Sequence, residues 1–175
     1  MEDVESTLKG RIRDVPDYPK EGILFRDITP LLKDGKAFAL CIDGMAESVK
    51  GMDFDYVVGI EARGFIIGAA LAYKLGKGFI PIRKMGKLPY KRISKEYALE
   101  YGTATIEMHH DALASGQRAL LVDDLLATGG TAKAAAEMVE SVGGHVAGFA
   151  FVIELEALNG RGALGNRDIK VLVKY

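Results

Sequence analysis

The sequence lacks the features that mark several common classes of protein. Its single cysteine, Cys41, excludes an intramolecular disulfide, and its apolar neighbours predict an inert core thiol. The 24 acidic and 23 basic side chains nearly cancel, so no overall charge favours nucleic acid or an anionic membrane as a partner. No apolar run approaches the length of a membrane span, and the acidic start does not resemble a signal peptide. We therefore expect a cytoplasmic protein without nucleic-acid or membrane partners.

Two nucleotide-binding motifs and the usual transition-metal motifs are also missing. No Gly-x-x-x-x-Gly-Lys-[Ser/Thr] occurs, and no Gly-x-Gly-x-x-Gly opens a helix after a strand. The adjacent His109 and His110 would point to opposite faces of a strand, and His145 is isolated in the sequence. A kinase-like, a NAD-dependent and a transition-metal enzyme therefore lose their main support.

The sequence does contain one distinctive stretch, from Ala119 to Thr131. The apolar run 118–122 predicts a strand buried on both faces of a parallel sheet, and the alanine-rich segment 131–142 has helical spacing. Asp123 and Asp124 then lie at the carboxyl end of a strand, where open α/β sheets bind ligands. The carboxylates would repel a phosphate, so we expect them to serve ribose hydroxyls or a divalent cation.

The loop after these carboxylates has no bulky side chain. Its amides can close on an anion, and the positive end of the helix dipole lies behind it. The implied ligand is a ribose 5-phosphate. The residues expected to bind its phosphate are Ala127, Thr128, Gly129, Gly130 and Thr131.

The rest of the chain predicts one α/β domain that spans residues 1–175, with a mostly parallel twisted sheet and helices on both faces. Helices are expected at 36–50 and 65–75, and strands at 56–60, 79–82, 145–155 and 169–173. Residues 1–30 predict a short helix and an extended arm. Phe25 lies in this arm among polar residues, and is consistent with either a core aromatic or a ring that stacks on a ligand.

Residues 83–108 break the regular pattern. The segment up to Gly102 carries six basic side chains against two glutamates, with three tyrosines interspersed. A long loop of this kind within a compact domain is typical of a lid, although charge runs also form solvated hairpins. We expect a flexible lid, because a ribose that carries phosphate and diphosphate needs several cations and shielding from water.

The segment Val122–Thr131 resembles the phosphoribosyl diphosphate signature of the type I phosphoribosyltransferases, in the form of their adenine-specific members. Other motifs follow in the family's order: Phe25 to Pro30, Arg63-Gly64-Phe65, Arg83 to Pro89, and Tyr97 to Gly102. The resemblance implies the type I fold and transfer of the 5-phosphoribosyl group from 5-phosphoribosyl 1-diphosphate to adenine. The products would be AMP and diphosphate, formed with Mg²⁺ in a homodimer.

The same resemblance assigns roles to individual residues. It implies adenine binding by Leu24, Phe25 and Arg26; diphosphate binding by Arg63, Arg83, Lys84 and Lys87; ribose binding by Asp123 and Asp124; and proton transfer by Glu100. Mg²⁺ would be held mainly by the substrate, with water-mediated contact to Asp123 or Asp124. The family also implies a cis peptide near Glu61-Ala62 and an Arg83 that reaches the neighbouring subunit. From the residues alone, Arg63 is equally consistent with a salt bridge to Glu61, and Glu100 with a solvated surface position.

Three alternatives come from related classes. The 6-oxopurine phosphoribosyltransferases usually have an acidic residue where this loop has Ala127, and they read the keto oxygen with a lysine. Xanthine phosphoribosyltransferases usually have Ala-Asn-Gly-Gln where this chain has Ala127-Thr128-Gly129-Gly130. A regulator that senses phosphoribosyl diphosphate normally adds a DNA-binding segment, and only about two dozen residues precede Phe25.

Overall fold

The computed structural model of the protein describes residues 4–98 and 102–175. The helices of this part are α1 (Val4–Lys9), α2 (Thr29–Lys33), α3 (Gly35–Ser48), α4 (Arg63–Leu75), α5 (Gly130–Ser141) and α6 (Gly160–Leu164), with a 3₁₀ helix at Glu156–Leu158. The strands are β1 (Arg13–Pro16), β2 (Leu24–Asp27), β3 (Tyr56–Ile60), β4 (Gly78–Lys84), β5 (Arg92–Ala98), β6 (Thr103–His109), β7 (Arg118–Leu126), β8 (His145–Glu154) and β9 (Ile169–Lys174). Within these residues, no helix is both long and apolar enough to cross a membrane.

Seven strands form the main sheet, in the order β5-β6-β4-β3-β7-β8-β9. Five of these strands, β4, β3, β7, β8 and β9, run parallel to one another. The hairpin β5–β6 adds to the β4 edge in antiparallel pairing. From β3 the chain passes through α4 to β4 on one side, whereas β7 lies on the other side of β3. The order of the strands therefore reverses between β3 and β7, and this is where open α/β sheets bind ligands.

Two hydrophobic layers cover the sheet, because successive strand residues point to opposite faces. Val57 and Leu120 pack with α3 and α4, whereas their neighbours Val58 and Leu121 pack with α5. The predicted fold class, a mostly parallel sheet with helices on both faces, is confirmed. Cys41 is fully buried in the first layer, and burial raises the pKa of its thiol to about 12, as expected of an inert core thiol.

The segment 83–108, predicted as a lid loop, consists largely of strands. It contains the end of β4, all of β5 and most of β6. Only Ile93 and Tyr97 of β5 are partly buried among otherwise exposed residues, so the alternation that marks a strand in a sequence is weak. The flexibility of this hairpin stays a prediction.

Strand β7 extends beyond the predicted end at Val122. Its pairing with β3 stops at Val122, but its pairing with β8 continues to Leu126. Asp123 and Asp124 are therefore inside a strand rather than after it, at the point where β3 no longer covers its edge. This one-sided pairing opens the crevice in which both carboxylates lie.

Candidate active site

Three hollows lie in a row along the carboxyl edge of the sheet and share walls. The first is lined by Phe25 and Arg63, and the second by Arg63, Asp123 and Thr131. The third is lined by Asp123, Thr131 and the rest of the small-residue loop. Arg63 thus joins the first hollow to the second, and Asp123 and Thr131 join the second to the third.

The third hollow is formed by the loop that the sequence predicts to bind phosphate, and we call it the phosphate cup. It has a volume of about 80 Å³, and all five residues from Ala127 to Thr131 line it. Helix α5 begins at Gly130, directly after Gly129 in the left-handed conformation with φ of 83°. The first amides of a helix have no partner within the helix, so they are available to an anion.

The middle hollow, of about 280 Å³, contains both aspartates. Asp124 is almost fully buried, and its Oδ2 accepts a hydrogen bond from Arg63 Nε. Burial, and then the neighbouring Asp124 carboxylate, raise the pKa of Asp123 well above its ordinary value. Helix α4 approaches these carboxylates closely because residue 64 is glycine: a Cβ there would lie 2.8 Å from Asp123 Oδ1.

The predicted diphosphate residues surround the start of α4 and the end of β4. Glu61 precedes the cis peptide bond Glu61-Ala62, which the family resemblance predicted. Its Oε2 accepts hydrogen bonds from the Lys84 amide (2.9 Å) and Arg83 Nε (3.2 Å). Although burial favours the neutral acid, these bonds hold the pKa of Glu61 below its ordinary value. Arg83 Nη1 also donates to the Lys87 carbonyl at 3.0 Å, which ties the turn together.

The first hollow, of about 320 Å³, lies beside the arm formed by β1 and β2. Phe25 is half-buried there, with the Tyr18 ring edge-on at 5.2 Å between centroids. The Arg63 guanidinium lies 5.2 Å from the centre of the Phe25 ring. Asp27 forms another wall, and hydrogen bonds from Thr29 and then Arg13 lower its pKa to about 2.

Not every predicted residue lines these hollows. Leu24 is 43% exposed beside Phe25, and the Arg26 side chain points to Asp14 and to the ring of Tyr175, 3.7 Å from its centre. The Arg26 side chain is therefore engaged away from Phe25, and its main-chain groups are what it can offer to a ligand there. Glu100, the predicted acid/base, lies outside the described residues.

Arg63 does not form the salt bridge to Glu61 that its local sequence allows. It pairs with Asp124 instead, and Glu61 is bound to Arg83. Arg63 and Glu61 both line the middle hollow, but their ion pairs are separate. A partner 61 residues away in the chain cannot be read from local sequence, whereas Glu61 is only two positions from Arg63.

Sequence reasoning missed several residues of the site. Tyr18 and Asp27 line the first hollow, and Glu61 organises the turn at 84–87. Glu107, a buried carboxylate on β6, accepts a 2.9 Å hydrogen bond from the Gly86 amide in the same turn. The one signal for Glu107 in the sequence is its position between the apolar residues Ile106 and Met108.

Comparison with known proteins identifies the family. A family model described as phosphoribosyl transferase domain matches residues 31–171. The chain belongs to this family. It is 58% identical to the adenine phosphoribosyltransferase of Thermotoga neapolitana over 168 residues, which are 96% of this chain and 99% of that protein.

Solved structures of the family have the same fold. The adenine phosphoribosyltransferase from Thermoanaerobacter pseudethanolicus superposes with a TM-score of 0.95 at 53% identity, covering 97% of this chain and 99% of that one. The enzyme from Saccharomyces cerevisiae, solved with adenine and an imino-altritol bisphosphate, gives a TM-score of 0.91 at 38% identity, covering 98% and 99%. The similarity therefore extends over all the elements that form the three hollows.

Proposed function

We propose that this enzyme transfers the 5-phosphoribosyl group of 5-phosphoribosyl 1-diphosphate to adenine, giving AMP and diphosphate. The observation that carries the proposal is the order of the three joined hollows. An aromatic hollow, a hollow with carboxylates and cations, and a small-residue cup follow one another as purine, ribose and phosphate do in AMP. The proposal is also supported by relatives that are named for this activity and that align with this chain over nearly their whole length.

In this proposal the cup binds the 5-phosphate and the two aspartates bind the ribose. The amides at the start of α5 donate to the phosphate, and the helix dipole favours its charge. Asp124 is held in place by Arg63 and accepts a hydrogen bond from one ribose hydroxyl. Asp123 lines the same hollow, and its carboxylate is placed to accept a hydrogen bond from the other hydroxyl.

Two cations that line the middle hollow, Arg63 and Lys84, and cations of the adjoining turn assist departure of the diphosphate. As the bond to the anomeric carbon breaks, the ribose gains oxocarbenium character and the leaving group gains negative charge. Arg63, Lys84 and Lys87, with Arg83 from one of the two subunits, stabilise that charge where it develops. Tyr97 of β5 lines the same hollow, so the hairpin lies where a lid would exclude water.

Adenine binds against Phe25 in the first hollow. Main-chain groups at Leu24 and Arg26 read its edge, which offers an amine donor beside a ring-nitrogen acceptor. A titratable group near N7 must accept a proton when N9 attacks the ribose, and Glu100 is assigned this role. The assignment rests on the family motif Tyr97 to Gly102.

Magnesium fits the oxygen donors of the middle hollow. Among residues 4–98 and 102–175, no group of three or more His, Cys, Asp or Glu side chains is arranged to hold a metal. A cation held chiefly by diphosphate oxygens, with water-mediated contact to Asp123 or Asp124, suits this arrangement. Bound there, Mg²⁺ would neutralise charge on the departing diphosphate. Chelation with excess EDTA should abolish AMP formation and added Mg²⁺ should restore it; turnover that persists in EDTA would contradict the metal requirement.

The proposal includes a homodimer and a cytoplasmic location. Arg83, if it serves the neighbouring subunit as the family resemblance implies, would leave its own Glu61 on assembly.

One assay tests the proposed activity against its alternatives. The enzyme is incubated with phosphoribosyl diphosphate and Mg²⁺ together with adenine, hypoxanthine, guanine, xanthine or orotate, and nucleotide formation is followed. We expect adenine to be used far better than any 6-oxopurine, because a mismatched base leaves buried polar groups unpaired. Comparable efficiency with xanthine or guanine would support an oxopurine enzyme, and binding without turnover would support a regulator.

A further inference from the structure

Three buried carboxylates stand out among the residues that the structure describes: Glu107, Asp124 and Glu154. Each is bound by an arginine, and two of the three pairs border the turn at 84–87 or the middle hollow. The third pair, Glu154 with Arg161, has no role in the site described so far. Arg161 Nε lies 2.7 Å from Glu154 Oε1, and Nη2 lies 2.9 Å from Oε2. This is the bidentate geometry that gives an arginine–carboxylate pair its orientational precision.

The pair connects the end of β8 to α6. Helix α6 has five residues, too few to be stable by itself, so its position depends on what anchors it. Leu164 anchors one end by burial in the core, and Arg161 anchors the other end through Glu154. Loss of Arg161 would leave the first turn of α6 without this charged anchor.

The first turn of α6 packs directly against the phosphate cup. A Cβ built on Gly129 would lie 2.5 Å from the Gly160 carbonyl oxygen and 2.9 Å from the Ala163 Cβ. A Cβ built on Gly160 would in turn collide with the Ala127 carbonyl oxygen. The two backbones are therefore in contact without side chains between them. Any displacement of α6 is transmitted to the loop 127–129.

A contribution to folding stability does not explain well why this ion pair is present. Burying the Glu154 carboxylate costs desolvation free energy that offsets much of its attraction to Arg161, whose side chain is 42% exposed, so we assign the pair a geometric role. A cup of amides needs fixed geometry, because an anion is bound well only when the donors converge at one spacing.

We propose that Arg161 is a positioning residue for the 5-phosphate, which acts by holding α6 against the back of the loop 127–131. Glu154 fixes the Arg161 guanidinium, Arg161 fixes the first turn of α6, and that turn sets the spacing of the loop amides. The inference rests on the proposed function, since it takes the loop to bind the 5-phosphate of AMP and of phosphoribosyl diphosphate.

The test compares Arg161→Met, Arg161→Lys and the control Lys174→Met. Lys174 on β9 forms an exposed ion pair with Glu156 of the 3₁₀ helix at 2.8 Å, so its substitution removes a similar charge but leaves the Glu154–Arg161 pair intact. Calorimetry gives the Kd of AMP, steady-state kinetics give the KM of each substrate, and urea unfolding shows that each variant is folded under assay conditions.

We expect Arg161→Met to weaken AMP binding and to raise the KM of phosphoribosyl diphosphate by about tenfold to a hundredfold, the cost of a small misplacement in a site. The KM of adenine should stay within about twofold, because the first hollow is not in contact with α6. Arg161→Lys should recover part of the loss, and Lys174→Met should behave as wild type.

A double-mutant cycle tests the mechanism and serves also if Arg161→Met folds poorly. If Arg161 acts through Glu154, Glu154→Gln should weaken AMP binding, and Glu154→Gln combined with Arg161→Lys should lose little more than either substitution alone. Wild-type affinity for AMP in folded Arg161 and Glu154 variants would overturn the inference, as would an equal rise in both KM values. Failure of the wild-type enzyme itself to bind AMP would overturn the proposed function instead.

Discussion

Arg63 shows how a single side chain connects two parts of this site. Its guanidinium donates to the buried Asp124 carboxylate and lies 5.2 Å from the centre of the Phe25 ring. The planar guanidinium can serve both partners at once, because it hydrogen-bonds in its plane and contacts an aromatic ring with its face. A lysine ammonium has no such plane, so arginine at residue 63 is better suited to couple the first hollow to the middle hollow.

At the same scale, Glu100 is expected to handle the proton of adenine. The substitution Glu100→Gln keeps the size of the side chain but removes its acid–base function. It should lower kcat by roughly 10²–10⁴-fold, the usual contribution of general acid–base catalysis, and leave phosphoribosyl diphosphate binding nearly intact. Glu96→Gln, an exposed position on β5, is the matched control. A Glu100→Gln enzyme that keeps most of its turnover between about pH 5 and 9 would assign the proton to water or another group.

Asp123 gives a prediction about pH and stability. Its pKa is raised in the folded protein, by burial and then by Asp124, so the folded state disfavours its charged form. The resulting loss of stability is absent below about pH 3.9, the ordinary pKa of an aspartate, and grows until the pH passes the raised value. Asp123→Asn keeps an oxygen for the Asp124 amide, which donates to Oδ1 at 2.9 Å.

We therefore expect Asp123→Asn to be more stable than wild type in urea at about pH 7 and equally stable near pH 3.5. Its kcat/KM should nevertheless fall by about tenfold or more, because a contact to the ribose is lost. The exposed substitution Asp111→Asn should change neither property. A stability difference that is independent of pH would show that the carboxyl of Asp123 is not the source.

At the scale of elements, contact between the phosphate cup and α6 predicts an unequal response of two glycines. Gly116 and Gly129 have nearly the same φ, 86° and 83°, but only at Gly129 would an added Cβ have other atoms within 4 Å. Gly116→Ala should cost only the strain of the left-handed conformation, about 1–2 kcal/mol. Gly129→Ala should cost about 1–3 kcal/mol more through overpacking against α6, and should weaken AMP binding. Equal unfolding free energies in urea would contradict the contact.

Most helices and strands of the structure could be predicted from the sequence. Buried strands and their helices were predictable, since each is specified by apolar periodicity and a glycine or proline boundary within a few residues. The end of β7 was predicted four residues too early, because the extension to Leu126 depends on pairing with β8 rather than on apolar residues alone. Strand β5 was not predicted, because most of its residues are polar and face water.

Site residues were predictable where they belong to a short motif. Phe25, the aspartate pair and the loop 127–131 are contiguous with signals that can be recognised locally, and the structure places them in three joined hollows. Glu107 and Arg161 act through partners on other elements, and no local pattern distinguishes a bound carboxylate or guanidinium from a solvated one. Their detection requires the fold.

At the scale of the whole molecule, the two hydrophobic layers hold the site in place. The crevice lies between β3 and β7, the central strands, and both are covered on each face by buried residues of the core. Loops that extend from buried parallel strands are fixed at their roots, so the groups after β3 and β7 keep their spacing. The hairpin β5–β6 pairs at one edge of the sheet, places Ile106 and Met108 in the second core layer, and contacts α5 through Lys95 and Glu137 at 2.8 Å. The binding edge is therefore fixed by the core, whereas a lid movement of the hairpin stays a prediction.

The last prediction concerns the assembly of two such molecules. Arg83 is bound in its own chain to Glu61 and to the Lys87 carbonyl, whereas the family resemblance assigns it to the diphosphate of a neighbouring subunit. Mixing two inactive variants separates these arrangements. Arg83→Ala subunits retain Glu100, and Glu100→Gln subunits retain Arg83, so a mixed dimer has one site with both groups only if Arg83 acts across the interface. Random exchange of the two variants makes about half of the dimers mixed, each with one intact site of two, and should restore about a quarter of wild-type activity in a symmetric dimer.

Arg83→Ala mixed with Glu96→Gln controls for dilution, and mass photometry of each sample confirms the dimers. Activity in the mixture no greater than the mean of the two separate variants would show that Arg83 serves the site of its own chain.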